Sequence, residues 1–198
     1  MRRLLLPVAA ALALLAAGCT TPQERLEDHV DVDTPELRTL KARAGIDDCP
    51  EPERDVTTEA PDVVLRCLGG GPDVALRSVP GPAVINVWAQ WCGPCGEELP
   101  LFQRLHERAG DRLRVLGIDW QDTQPEGALE LARVSGVTYP LVADPAALVS
   151  DAWRVNGLPV TVFVDREGRT TVRRALIDDW DELAGLVEDH TGVRVTAG

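Results

Sequence analysis

The pentapeptide Trp91-Cys92-Gly93-Pro94-Cys95 constrains this chain more than any other stretch. It follows an apolar run, residues 83–89, that reads as a buried strand. It precedes residues 97–108, where Leu99, Phe102 and Leu105 recur at helical spacing. The two thiols therefore sit where a strand ends and a helix begins. Free N–H groups and the dipole at a helix N-terminus stabilise a negative sulfur, so Cys92 is expected to ionise more readily than an ordinary cysteine. Cys95, one turn on, is close enough to close a disulfide with it. Such a pair can pass two electrons by thiolate attack on another disulfide. The plainer alternatives are a static bridge or half of a zinc site. Zinc would call for a second Cys-x-x-Cys or a His pair at matching spacing. The chain offers only Cys49, Cys67 and three scattered histidines, so neither a metal nor a cofactor is expected.

At 198 residues with 44% apolar composition, the chain has room for one domain with a proper core plus appendages. A formal net charge of −12 argues against nucleic acid or an anionic lipid surface as a partner. Met1-Arg2-Arg3 is a positive start, and residues 4–17 are apolar but too short to cross a bilayer comfortably. Residues 1–18 thus read as an export signal. Its end, Leu15-Ala16-Ala17-Gly18-Cys19, resembles the lipobox of bacterial lipoproteins, departing from the commonest form at Ala16. That resemblance implies that Cys19 is the lipidated first residue of the mature chain, held at the outer face of the cell membrane. An ordinary signal cleaved nearby is the alternative. With Cys19 set aside, four cysteines remain, which divide into Cys49 with Cys67 and Cys92 with Cys95. Export favours an oxidising compartment, where a Cys49–Cys67 bridge would persist and contribute about 3 kcal/mol.

Residues 19–61 read as a polar tether, a short helix from Thr34-Pro35-Glu36-Leu37 to Gly45 that need not pack tightly, and an irregular acidic leader. The domain proper, residues 62–198, opens with strands at 63–68 and 74–76 around a glycine-rich turn. Strands are expected at 113–119 and 141–142, helices at 125–135 and 145–153. A hairpin, 160–164 with 170–175, and a helix at 179–190 close the domain. The alternation predicts an α/β sandwich around a mixed sheet, with the central strand beside the next parallel one.

With these residues in hand, positions 62–190 resemble the thioredoxin superfamily, specifically its membrane-tethered TlpA/ResA-like thiol–disulfide oxidoreductases. The motifs are Asn86-Val87-Trp88-Ala89-Gln90-Trp91-Cys92-Gly93-Pro94-Cys95, Glu97-Glu98-Leu99-Pro100, and Gly157-Leu158-Pro159 running into Val160-Thr161-Val162-Phe163-Val164-Asp165. The resemblance implies a thioredoxin fold, a three-layer α/β/α sandwich with an N-terminal β-hairpin extension and an inserted helix–strand unit. It implies that Cys92 is the nucleophile and Cys95 the resolving thiol, and that Pro159 is cis and faces them. The backbone of Leu158 would then be free to hydrogen-bond an extended substrate segment. It also supports Cys49–Cys67 as a bridge pinning the leader to the first strand, a redox relay to the active pair being the alternative. Asn86 stands where cytosolic thioredoxins carry a buried Asp, and a neutral amide cannot take the resolving thiol's proton. Relatives place an acid in the loop after the next strand, which points to Asp122, with Asp119 and Glu98 as competitors.

The expected partners are client proteins with disulfides and a membrane electron donor that re-reduces the pair. The Gly-Pro dipeptide between the cysteines is that of reducing thioredoxins, whereas an oxidising compartment argues for a disulfide-forming oxidase on the same site. A non-catalytic binding lipoprotein on this fold is the alternative of another class. A peroxiredoxin would need a hydroxyl three residues before its cysteine, where this chain has Ala89. Trp91 is expected to present a flat apolar surface, Trp88 to be core, Trp120 to line the substrate groove, and Trp153 and Trp180 to pack. His29, His106 and His190 receive no chemistry.

Overall fold

The structure, a computed structural model, describes residues 30–53 and 55–196. The expected export signal, the lipidated Cys19 and His29 lie outside these residues. Among the described residues no helix is long and apolar enough to cross a membrane.

Seven strands form one sheet: β1 (Val64–Cys67), β2 (Val74–Ala75), β3 (Ala83–Trp88), β4 (Arg114–Trp120), β5 (Leu141–Asp144), β6 (Val160–Val164) and β7 (Thr170–Arg173), in the order β2-β1-β5-β4-β3-β6-β7. The β3–β4 and β4–β5 pairs are parallel, and the other pairs are antiparallel. Among the described residues five α-helices accompany it: α1 (Pro35–Ala44), α2 (Gly93–Ala109), α3 (Pro125–Val134), α4 (Ser150–Trp153) and α5 (Trp180–Thr191). Every residue of β3 is buried, as a strand covered on both faces must be. Successive side chains point to opposite faces, so the core divides in two. Val84 and Trp88 join Leu99, Phe102 and Leu105 of α2 on one side. Ile85 and Val87 join Ile118, Val142 and Val162 on the other. The result is the expected thioredoxin fold, with β1–β2 as its added hairpin and α3–β5 as its inserted unit.

The leader is better anchored than its composition suggests. Thr34 caps α1, its side chain accepting from Leu37 N at 3.2 Å, and Gly45 ends it at φ 70°. Leu37 is fully buried and shares the α2-side core with Val32 and Ile46. Further along, Glu59 N donates to Gly168 O, and Glu59 accepts from Thr170 N. The leader therefore reaches from the β1 side of the sheet to β7.

The helix expected at 145–153 is shortened to α4. The Asp144 carboxylate accepts from Leu148 N and Val149 N, and Ala147 adopts φ 59°, so the segment begins as a turn. Gly117 is required on β4: a side chain there would meet Leu141, Trp88 and Tyr139, which close over it.

Candidate active site

Strand β3 delivers the chain to Cys92, which is the N-cap of α2 with β-region backbone at φ −89°. Its sulfur accepts from Cys95 N at 3.3 Å, the position a capping oxygen takes in ordinary helices. Gly93 and Pro94 form the exposed first turn, where Pro94 loses no helical hydrogen bond. The two sulfurs form a disulfide with Cα atoms 5.3 Å apart, Cys95 being fully buried and Cys92 nearly so. A helix N-terminus pointed at a sulfur that can become anionic is the arrangement the motif predicts.

Leu158–Pro159 is a cis peptide bond, as the resemblance implied; Gly81–Pro82 is a second, which sequence reasoning did not single out. Val160 pairs with Val87, five residues before Cys92, so Pro159 enters β6 at the sheet end where the cysteines lie. Trp91 is 51% exposed and donates from Nε1 to Gln121 O at 3.3 Å. Trp120 is buried instead of lining an open groove; its Nε1 donates to Ser150 Oγ and its ring lies 6.2 Å from that of Trp91. Trp88, Trp153 and Trp180 are buried as expected.

Three acids were singled out, and the structure separates them. Asp122 is buried and fully used: it accepts from Gln90 N at 3.1 Å and from Gln124 N at 2.8 Å. It thereby ties the loop after β4 to the residue before Trp91. Asp119, at the end of β4, is held protonated well above the usual carboxylate range by burial first and by the neighbouring Asp122 second. Glu98 lies one helical turn beyond Cys95 on the buried face of α2. Its Oε1 accepts from Ile177 N at 2.9 Å, and its Oε2 has no hydrogen-bond partner among the described residues. Burial pushes its pKa up to about 7, opposed by the Ile177 N–H and by Arg173. Asn86 alternates onto the same face of β3 and lies close enough to lower that value slightly, although the pair falls short of hydrogen-bond geometry. The site thus sets a protonatable acid beside the neutral amide, and the spacing from Cys95 was the sequence signal for it.

Cys49 and Cys67 form a second disulfide, Cα atoms 5.9 Å apart, which ties the leader to β1. Of the described histidines, His106 is 3.3 Å from Asp47, and His190 packs on Phe163. Among the described residues the one group with metal-like geometry is Asp178, Asp179 and Glu182, away from both cysteine pairs in the chain.

Residues 56–173 match the AhpC/TSA family. The chain belongs to that family. Within it, the resemblance to the TlpA/ResA-like branch holds. The chain is 36% identical over 129 residues to the thiol:disulfide interchange protein DsbE homolog of Paracoccus denitrificans, covering 63% of this chain and 68% of that one. It is 31% identical over 118 residues to the thiol-disulfide oxidoreductase ResA of Geobacillus kaustophilus, covering 57% and 65%. Across the first curated relatives it spans from under half to about two thirds of their length. Among solved structures, MTB DsbF in its mixed oxidized and reduced forms superposes with a TM-score of 0.62 at 26% identity, covering 69% of this AhpC/TSA-family chain and all of DsbF.

Proposed function

We propose that this protein is an exported, membrane-anchored thiol–disulfide oxidoreductase that reduces disulfides in extracytoplasmic client proteins. One observation carries the reading: a Cys92–Cys95 pair in which Cys92 caps a helix while its own sulfur accepts a backbone N–H. In the reduced enzyme the Cys92 thiolate attacks one sulfur of a client disulfide. The client's S–S bond breaks, its other sulfur leaves as a thiolate, and a Cys92–client bond forms. Cys95 then loses its proton and attacks Cys92 Sγ, which releases the second client thiol and closes the Cys92–Cys95 bridge. A membrane electron donor returns two electrons to that bridge.

Glu98 is the acid best placed to take the Cys95 proton. It is buried, has a free oxygen, and titrates near neutrality. Asp122, with both oxygens engaged by backbone N–H groups, acts instead to position the segment leading into Trp91. Exposed Trp91 and the backbone of Leu158 are the surfaces offered to a client. The reductive direction rests on Gly93-Pro94, and the membrane anchor on the lipobox-like end at Cys19.

The test is covalent trapping in the native host. A Cys95→Ala variant of the full chain should retain clients as mixed disulfides on Cys92, released by thiol reductant. Equal recovery from a Cys92→Ala/Cys95→Ala control would reject the mechanism. Thiol-dependent insulin reduction supplies the activity readout, and its absence in fully reducible protein would favour a binding scaffold.

A further inference from the structure

The second disulfide has surroundings that a simple staple does not require. Lys41, on α1, is almost wholly buried, an unusual place for a lysine. Its Nζ donates to Gly70 O at 2.7 Å and to Asp48 Oδ1 at 2.9 Å, and it stands 3.5 Å from Cys67 Sγ. Gly71 makes room for this: its own φ is 129°, and a side chain there would come within 3.2 Å of Cys67 Sγ and 3.5 Å of Nζ. The other sulfur meets the opposite polarity, since Cys49 Sγ lies 3.3 Å from Leu141 O. A cation beside one sulfur and a carbonyl oxygen beside the other discriminate between thiolate and thiol.

We propose that Cys49–Cys67 is a second, asymmetric redox centre, in which Lys41 receives Cys67 as a thiolate and the Leu141 carbonyl keeps Cys49 as a thiol. The reductant is a dithiol. One of its thiolates attacks Cys49 Sγ, the Cys49–Cys67 bond breaks, and the electron pair leaves on Cys67 Sγ beside the ammonium. The donor's second thiol gives up its proton and attacks its own sulfur in the mixed disulfide. Cys49 departs, takes up a proton and donates it in a hydrogen bond to Leu141 O. The bridge has gained two electrons, and the donor has become a disulfide. Because both sulfurs are buried, attack waits on local opening of the leader. Nothing in this sequence of steps depends on Cys92 or Cys95.

The charges around Cys67 are few. Asp48 pairs with Lys41, Asp33 pairs with Arg38 beside Gly70, and Arg66 on β1 pairs with Asp31. Asp48 is the one that tempers Lys41 directly, and its side chain is 86% exposed, so it can be changed without disturbing the core.

The full chain, reduced with dithiothreitol, is alkylated with iodoacetamide across pH, and each cysteine is read separately by peptide mass mapping. Cys67 should reach half-reaction below the ordinary cysteine value of about 8.5, and Cys49 above it. Asp48→Asn should move the Cys67 midpoint further down. Lys41→Gln should move it up by about one unit or more, and lower the reduced-to-oxidised ratio in a fixed dithiothreitol buffer about tenfold per unit. The Cys92 profile should stay unchanged in both variants. A Cys67 midpoint at or above the ordinary value in the unsubstituted chain overturns the proposal, as does an unmoved midpoint in the variants. If Lys41→Gln does not fold, the unsubstituted chain and Asp48→Asn still decide. A purely structural lysine would change stability without moving either profile.

Discussion

Replacing Glu98 with Gln isolates one buried proton. The substitution keeps the shape and the oxygen that accepts from Ile177 N, and removes only the ability to ionise. Glu98 carries a pKa of about 7 in the fold against 4.5 for an ordinary glutamate. Below pH 4.5 the carboxyl is protonated in both folded and unfolded chains. Between 4.5 and about 7 the unfolded chain has released its proton while the folded one still holds it, so folding is penalised progressively as pH rises. Above about 7 both states are ionised and the penalty is constant. The shift corresponds to about 3 kcal/mol of stability, present in full at low pH and lost across that window. Urea unfolding of both proteins at several pH values should show Glu98→Gln gaining on the parent by about that amount as pH rises through the window. A difference that stays flat with pH would refute the burial argument and remove Glu98 as the proton acceptor. If the argument holds, the same variant should slow insulin reduction chiefly at the resolving step.

Two further outcomes follow from particular contacts. Trp91→Ala removes a half-exposed ring, so stability should change by no more than about 1 kcal/mol while KM rises for protein clients and not for small disulfides; equal effects on both would count against a docking role. Cys49→Ala/Cys67→Ala opens a loop with sequence separation 18 and should cost about 3 kcal/mol in urea unfolding; an unchanged midpoint would show that the leader's other contacts suffice.

Much of the fold was legible because its signals are local. The apolar runs of β3, β4 and β6, the cap at Thr34 and the strand–Cys-x-x-Cys–helix order each announce themselves within a few residues. The two disulfides also followed from counting. What sequence did not show depends on contacts between distant segments. The leader looked like an acidic spacer, and only the docking of Leu37 and the bonds from Glu59 to β7 reveal how firmly it is laid on the sheet. The segment after β5 has helical composition, yet the Asp144 carboxylate captures the N–H groups of Leu148 and Val149 and delays the helix. The acids illustrate the same limit. All three were visible near the thiols and all three are buried, but their partners differ: Asp122 accepts from two backbone N–H groups, Asp119 has its pKa raised by burial and by the neighbouring Asp122, and Glu98 accepts from Ile177 N through one oxygen and leaves the other unpartnered among the described residues.

The most direct measurement is the thiolate titration of Cys92 in the reduced full chain, followed by ultraviolet absorbance and assigned with a Cys92→Ser control. The account predicts ionisation well below the ordinary cysteine value of about 8.5, with the absorbance step missing from the control. Ionisation at or above that value would contradict it, because a helix tip that does not favour the anion cannot supply the nucleophile.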